Sequence, residues 1–188
     1  MALNIAQVEE VLRVLTHLPR LIDRLQQRSA DFFDESIAWL KLAEQVCETH
    51  RIPAASELAT LRALLIQASR GQNAAGPAVT GKPTRRKIRD ASATHALDRA
   101  GQILRGAVDL RLQQLAEGER IAGQIAAVAR VKGYVQRCAG VAHPAEKLAL
   151  LRELIEHDAD LLGAHTQLVG LLGKGDAVAV LDRSVPDL

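Results

Sequence analysis

The last third of the chain contains two side chains whose types and spacing could bind a metal ion. In the stretch EHDADLLGAH, Asp158 and His165 are seven residues apart and would share one face of a continuous helix. Metal-binding helical bundles combine such carboxylate and imidazole ligands with further Glu and His ligands from other helices. The sequence has no Glu-x-x-His pair to supply them. We therefore predict no metal or other cofactor, and keep the Asp158–His165 site as an alternative.

A second group of candidate residues is the basic run KPTRRKIR, which could bind phosphates or an acidic protein surface. Residues 71–90 carry a net charge of +4, whereas the segments on either side each carry −1. The run contains no aromatic side chain that could stack on bases, and nucleic-acid-binding proteins usually spread positive charge over a whole face. A solvated loop or an acidic partner is the preferred interpretation, and nucleic acid stays an alternative. The candidate residues are Lys82, Arg85, Arg86, Lys87 and Arg89.

A third candidate is His95, in the stretch THALDRAGQILRGA at residues 94–107. This stretch resembles the phosphoacceptor helix of histidine phosphotransfer domains, in which an exposed histidine is followed by leucine, lysine and glycine at the second, third and fourth positions. His95 and Leu97 match that pattern. Asp98 and Arg99 occupy the lysine and glycine positions, and a carboxylate there would repel a phosphohistidine. The resemblance implies a phosphocarrier role for His95 as an alternative function.

The common catalytic templates are missing from the sequence. It contains no phosphate-binding GxxxxGK[ST] loop, no GxGxxG, no HExxH, no GxSxG and no cysteine cluster. Whether the protein is an enzyme stays open, and a non-catalytic role is the preferred interpretation.

The composition predicts an all-α protein. Hydrophobic residues make up 48% of the chain and charged residues 24%, but aromatic residues only 2%. A core built from Leu, Ile, Val and Ala favours helices, because sheets draw on β-branched and aromatic residues.

Periodic apolar positions predict about five helices, over residues 4–28, 31–50, 53–70, 90–139 and 143–172. A flexible basic loop over 71–89 separates the third helix from the two long ones, and residues 173–188 form a tail without helical period. Pro19 predicts a kink or break near Leu18. Glycines in the fourth helix predict close neighbours, or a break near Gly118 or Gly133.

The first helix carries the most regular apolar pattern. Its apolar residues recur at steps of three and four and form a heptad seam, which here means Val8, Val11, Leu15, Leu18, Ile22 and Leu25. This seam requires long partners, so we predict one antiparallel bundle over residues 1–172. The preferred function is that of a helical adaptor or assembly subunit that binds another protein or further copies of itself.

The sequence also bears on the compartment. Cys47 and Cys138 are far apart and predict two buried thiols in a reducing cytosol. The first residues lack the basic and apolar regions of a signal peptide, and no run of 18 apolar residues occurs. We therefore predict a cytoplasmic protein without a membrane span.

Overall fold

The computed structural model describes residues 3–70 and 84–185, which fold as nine helices with no strand among them. This confirms the all-α class for the described residues, although the expected count of five helices is too low. The antiparallel bundle arrangement stays a prediction. The helices are α1 (Ile5–Leu15), α2 (Leu18–Gln26), α3 (Phe32–Thr49), α4 (Ala55–Ser69), α5 (Arg85–Val131), α6 (Tyr134–Cys138), α7 (Pro144–Glu156), α8 (Ala159–Leu172) and α9 (Lys174–Arg183).

The described chain divides into two compact units, with the boundary between Leu110 and Arg111 inside α5. Unit 1 consists of α1 to α4 and the first part of α5. Unit 2 consists of the rest of α5 and α6 to α9. A single domain over residues 1–172 stays a prediction. Among the described residues, no helix is both long enough and apolar enough to cross a membrane.

In unit 1, the predicted break near Pro19 is present and separates α1 from α2. Proline has no backbone N–H and its ring clashes with the preceding turn, so it is tolerated only in the first turn of a new helix. Pro19 occupies that position in α2. The indole Nε1 of Trp39, on α3, donates a hydrogen bond to the Val14 carbonyl at 3.0 Å. Because α1 ends at Leu15, this bond adds a side-chain donor to a carbonyl of its last turn, which also accepts from the His17 backbone N–H at 3.2 Å.

The core of unit 1 forms where α3 packs against α1, α2 and α4. The N-terminal part of the heptad seam is fully buried, because Val8 and Val11 are at most 1% exposed. Leu40, Ala43 and Cys47 of α3 are also fully buried. Burial in this apolar environment raises the pKa of the Cys47 thiol to about 11. Both cysteines of the chain are free and buried.

The helix α5 begins earlier and ends earlier than the sequence predicts. It begins at Arg85, so the basic residues from Arg85 to Arg89 belong to a helix and not to a loop. Residues 71–83, the remainder of the predicted loop, lie outside the described residues. At its other end α5 stops at Val131, and Gly133 has a φ of 75°, a left-handed conformation that suits glycine.

The helix predicted over residues 143–172 is in fact two helices, α7 and α8. Asp158 separates them because its side chain accepts a hydrogen bond from the backbone N–H of Asp160, at 2.8 Å, and caps the start of α8. The prediction that the tail after residue 172 is not helical is also wrong for Lys174–Arg183, which form α9 and pack against α8. Ala177, Val180 and Leu181 give α9 a buried face.

Candidate protein-binding groove

Most of the basic residues in the first turns of α5 contact other residues of unit 1. The guanidinium of Arg85 donates to the Ser69 carbonyl at 2.7 Å, and that of Arg86 donates to the Arg28 carbonyl at 2.5 Å. These carbonyls lie at the C-terminal ends of α4 and α2, where positive charge is favourable. Two of the candidate arginines therefore hold helix ends together.

The other candidate basic residues differ from one another. Arg89 stacks on the Phe33 ring, 4.1 Å from its centroid, and lies 3.6 Å from the Asp34 carboxylate. Lys87 is exposed. Lys82 lies outside the described residues. Anion or nucleic-acid binding by this group stays an untested alternative.

His95 lies on an exposed position of α5. The two neighbours that depart from the phosphotransfer pattern have partners of their own. The Asp98 carboxylate accepts a hydrogen bond from the Gln102 amide at 3.0 Å, and Arg99 lies 3.7 Å from the Glu57 carboxylate. A phosphocarrier role for His95 stays a prediction.

Asp158 and His165 do not belong to one continuous helix that also includes α7. Asp158 precedes α8 in an extended conformation, so the assumption of a continuous helix is wrong. His165 instead lies 3.8 Å from Glu156. Among residues 3–70 and 84–185, no group of three or more His, Cys, Asp or Glu side chains could hold a metal ion.

Asp158 is the centre of a structural cluster in unit 2. The Lys132 ammonium donates to both of its carboxylate oxygens, at 2.7 and 2.6 Å, and the Tyr134 hydroxyl donates to one of them. These hydrogen bonds, with that from the Asp160 backbone, stabilise the charged carboxylate and lower the pKa of Asp158 to about 2. The same contacts raise the pKa of Lys132 and of Tyr134. The cluster ties the segment after α5 to the start of α8.

We expect this cluster to make stability depend on pH in the acid range. Because the pKa of Asp158 is lower in the folded chain than the value of about 3.9 in an unfolded one, its contribution is complete above about pH 4 and is lost as the pH falls towards 2. An Asp158→Asn variant keeps a side chain that can cap α8 but has no carboxylate to protonate. Urea unfolding at a series of pH values should therefore show a shallower loss of stability between pH 4 and 2 for this variant than for wild type.

The matched control for that prediction is Asp109→Asn. Asp109 is exposed on α5 and makes no side-chain hydrogen bond or ion pair among the described residues. The control should follow the wild-type pH profile. Equal slopes for wild type and Asp158→Asn would contradict the role assigned to the cluster.

One cavity of unit 1, of about 470 Å³, lies between the α3–α4 turn and α5. Three polar side chains at its wall, those of His50, Glu57 and Arg99, have protein partners. His50 Nε2 lies 2.6 Å from the Glu10 carboxylate, and Arg99 is paired with Glu57. A ligand in this cavity would have to compete with these pairs.

A groove of about 400 Å³ runs between α2 and the first part of α5. Its volume is within the range of about 300–1,000 Å³ that is common for binding clefts. Most of its lining is apolar, and Ile22 at its rim is 50% exposed. The apolar lining residues are Leu15, Leu18, Pro19, Ile22, Leu25, Phe32 and Leu97.

The two walls of the groove run in opposite directions. A Cβ atom on Gly101 would lie 3.1 Å from Leu18, near the start of α2, whereas Arg86 contacts Arg28 just after its end. The helices α2 and α5 are therefore antiparallel where they line the groove. The α5 wall carries Asp98 and Arg105, which are both exposed. The groove thus has an apolar floor and a rim with one charge of each sign.

Four of the residues that line this groove stand out in the sequence as apolar positions, although nothing there marks them as a site. Leu15, Leu18, Ile22 and Leu25 belong to the heptad seam of the first predicted helix, which we expected to pack against long partner helices. The structure covers Val8 and Val11 but leaves Ile22 half exposed. The signal that could have identified the site is the continuation of the seam beyond Pro19, where the chain changes direction. Asp98 and Arg105 had no signal of their own in the sequence.

Comparisons of the chain with protein-family models, with curated proteins and with solved structures gave no match.

Proposed function

We propose that the protein is a non-catalytic helical adaptor or assembly subunit that binds a protein partner through the groove between α2 and α5. The observation that carries the proposal is the apolar groove with a half-exposed isoleucine at its rim. Grooves of this kind bind an amphipathic helix, whose apolar side chains at spacings of three and four enter the groove.

The pattern of the α2 wall supports this proposal. Leu15, Leu18, Ile22 and Leu25 follow the same three- and four-residue spacing that one helix uses to pack against another. Leu18 is buried, but Ile22 is half exposed. This wall therefore has one side packed within unit 1 and one side available to a partner.

The proposal can be tested by placing a photoreactive amino acid at position 22 and irradiating living cells of the organism that makes the protein. We expect one discrete covalent adduct with a polypeptide, because a partner in the groove would lie within reach of the rim. An Ile22→Glu substitution in a chain with the photoreactive group at position 25 should remove the adduct, since a carboxylate at the rim would make apolar docking unfavourable.

The matched control uses position 162, because Leu162 is exposed to a similar degree (51%) but belongs to unit 2. A photoreactive group there should give no such adduct. The proposal is wrong if position 22 gives no adduct, or if both positions give the same ones.

A further inference from the structure

We infer that the occupant of the groove is a second copy of this chain, arranged about a two-fold axis. This inference rests on the proposed function and names its partner. In a two-fold interface the same patch is used twice, so any residue that contacts a second residue across the axis is matched by the reverse contact. A patch suits this arrangement when it complements itself in both charge and shape.

The charges on the α5 wall have this property. Asp98 and Arg105 are seven residues apart, so they lie on the same side of the helix and are separated by about 10 Å along its axis. If two α5 helices approach antiparallel, with the axis between positions 101 and 102, Asp98 of one copy faces the partner's Arg105. The symmetry then gives a second, identical pair.

The existing contacts leave these charges available to a partner. Arg105 makes no hydrogen bond or ion pair among the described residues, and its side chain is exposed. Asp98 uses one carboxylate oxygen, Oδ2, for its hydrogen bond with the Gln102 amide. A second copy would thus pair two charges without breaking an ion pair of unit 1.

The apolar side chains complement each other in the same arrangement. Leu18 is level with Gly101, so it lies close to the two-fold axis. Because α2 runs antiparallel to α5, Ile22 lies on the Asp98 side of the axis and Leu15 on the Arg105 side. The rotation therefore places Ile22 of one copy against the Leu15 end of the partner's groove. The half-exposed Ile22 becomes covered, which the apolar floor favours.

The test is a charge exchange followed by sedimentation analysis of the purified full-length chain. Wild type should form a dimer. Asp98→Arg or Arg105→Asp alone should raise the dimer dissociation constant by about tenfold, because each places like charges face to face twice in the interface. The double variant Asp98→Arg/Arg105→Asp restores opposite charges across the axis and should return to wild-type affinity.

A second measurement uses only the single variants. Mixing the Asp98→Arg chain with the Arg105→Asp chain should give a heterodimer of near wild-type affinity, since every cross-axis pair is again opposite in sign. Glu119→Arg, an equal change of charge at an exposed site of the same helix but fourteen residues along the chain from Arg105, should dimerise like wild type. Circular dichroism of each variant verifies that the helices are retained.

Three results would overturn the inference. They are a wild-type chain that stays monomeric at high concentration, a dimer that neither single variant weakens, and single variants that neither the double substitution nor mixing restores. None of these would remove the proposed function, which fails only if position 22 forms no specific adduct. An adduct with a different protein, together with a monomeric purified chain, would keep the adaptor proposal and exclude the second copy.

Discussion

Replacing Arg111 with alanine should destabilise unit 2 by about 3 kcal/mol, because it removes the buried partner of a part-buried ion pair and a buried hydrogen bond to a backbone carbonyl. The Arg111 side chain is 6% exposed. Its guanidinium donates to the Leu172 carbonyl at 2.8 Å and to the Asp176 carboxylate at 2.6 Å. The contact with Leu172 gives a donor to a carbonyl at the C-terminal end of α8. The contact with Asp176 links α5 to the first turn of α9. We expect faster hydrogen exchange in both helices and a lower urea midpoint, measured by mass spectrometry and by circular dichroism.

Two variants make this prediction specific to the buried guanidinium. Arg111→Lys keeps the positive charge but loses the planar fork that binds a carbonyl and a carboxylate together, so it should fall between wild type and alanine. Arg120→Ala removes an exposed arginine of α5 that pairs with Glu117, and it should leave the urea midpoint unchanged. Equal midpoints for Arg111→Ala and wild type would contradict the assignment.

Adding a side chain at Gly118 should have the second large effect, a loss of about 2 kcal/mol for Gly118→Val. A Cβ atom at this position would lie 2.5 Å from Leu172 Cδ1 and 3.0 Å from its Cγ, so the valine would force α8 and α5 apart or push Leu172 from its place. Leu172 is 6% exposed and has little room to move. Urea unfolding measures the loss.

The matched control is Gly123→Ala, five residues further along the same helix. Nothing lies within 4 Å of a Cβ atom at Gly123, so the substitution should stabilise the chain by up to about 1 kcal/mol through helix propensity alone. Gly118→Val should therefore lower the free energy of unfolding, whereas Gly123→Ala should raise it. If Gly118→Val is as stable as wild type, α8 does not approach α5 as closely as the structure indicates.

The helix breaks that could be predicted from the sequence are those that depend on the backbone of a single residue. The break at Pro19 follows from a missing N–H, and the break at Gly133 from a residue that adopts positive φ without strain. Asp158 was different, because apolar residues keep their helical spacing on both sides of it. The local spacing gives no sign that Asp158 caps α8, and the contacts with Lys132 and Tyr134 that hold it in place come from residues distant in sequence. The helix α9 was missed for the same reason, since its burial depends on contacts with α8.

The candidate site could be predicted only in part, because periodicity shows which residues are apolar but not which of them a neighbour will cover. The heptad seam contained Leu15, Leu18, Ile22 and Leu25, yet the pattern was the same for Val8 and Val11, which are buried. The positions of Asp98 and Arg105 beside that seam depend on α5 lying along α2. For the basic run the prediction failed differently. The sequence shows Arg85 and Arg86 as charges available to a ligand, whereas in the structure both donate hydrogen bonds to backbone carbonyls.

The chain has one tryptophan and one tyrosine, and each makes a hydrogen bond that holds a different unit together. Trp39 donates to the end of α1 in unit 1, and Tyr134 donates to the cap of α8 in unit 2. The protein therefore contains two intrinsic chromophores, one in each unit, and each lies at a contact between helices. Melting followed by indole fluorescence and by phenol absorbance would distinguish a chain that unfolds as a single cooperative body from one whose halves come apart at different temperatures, without any added label.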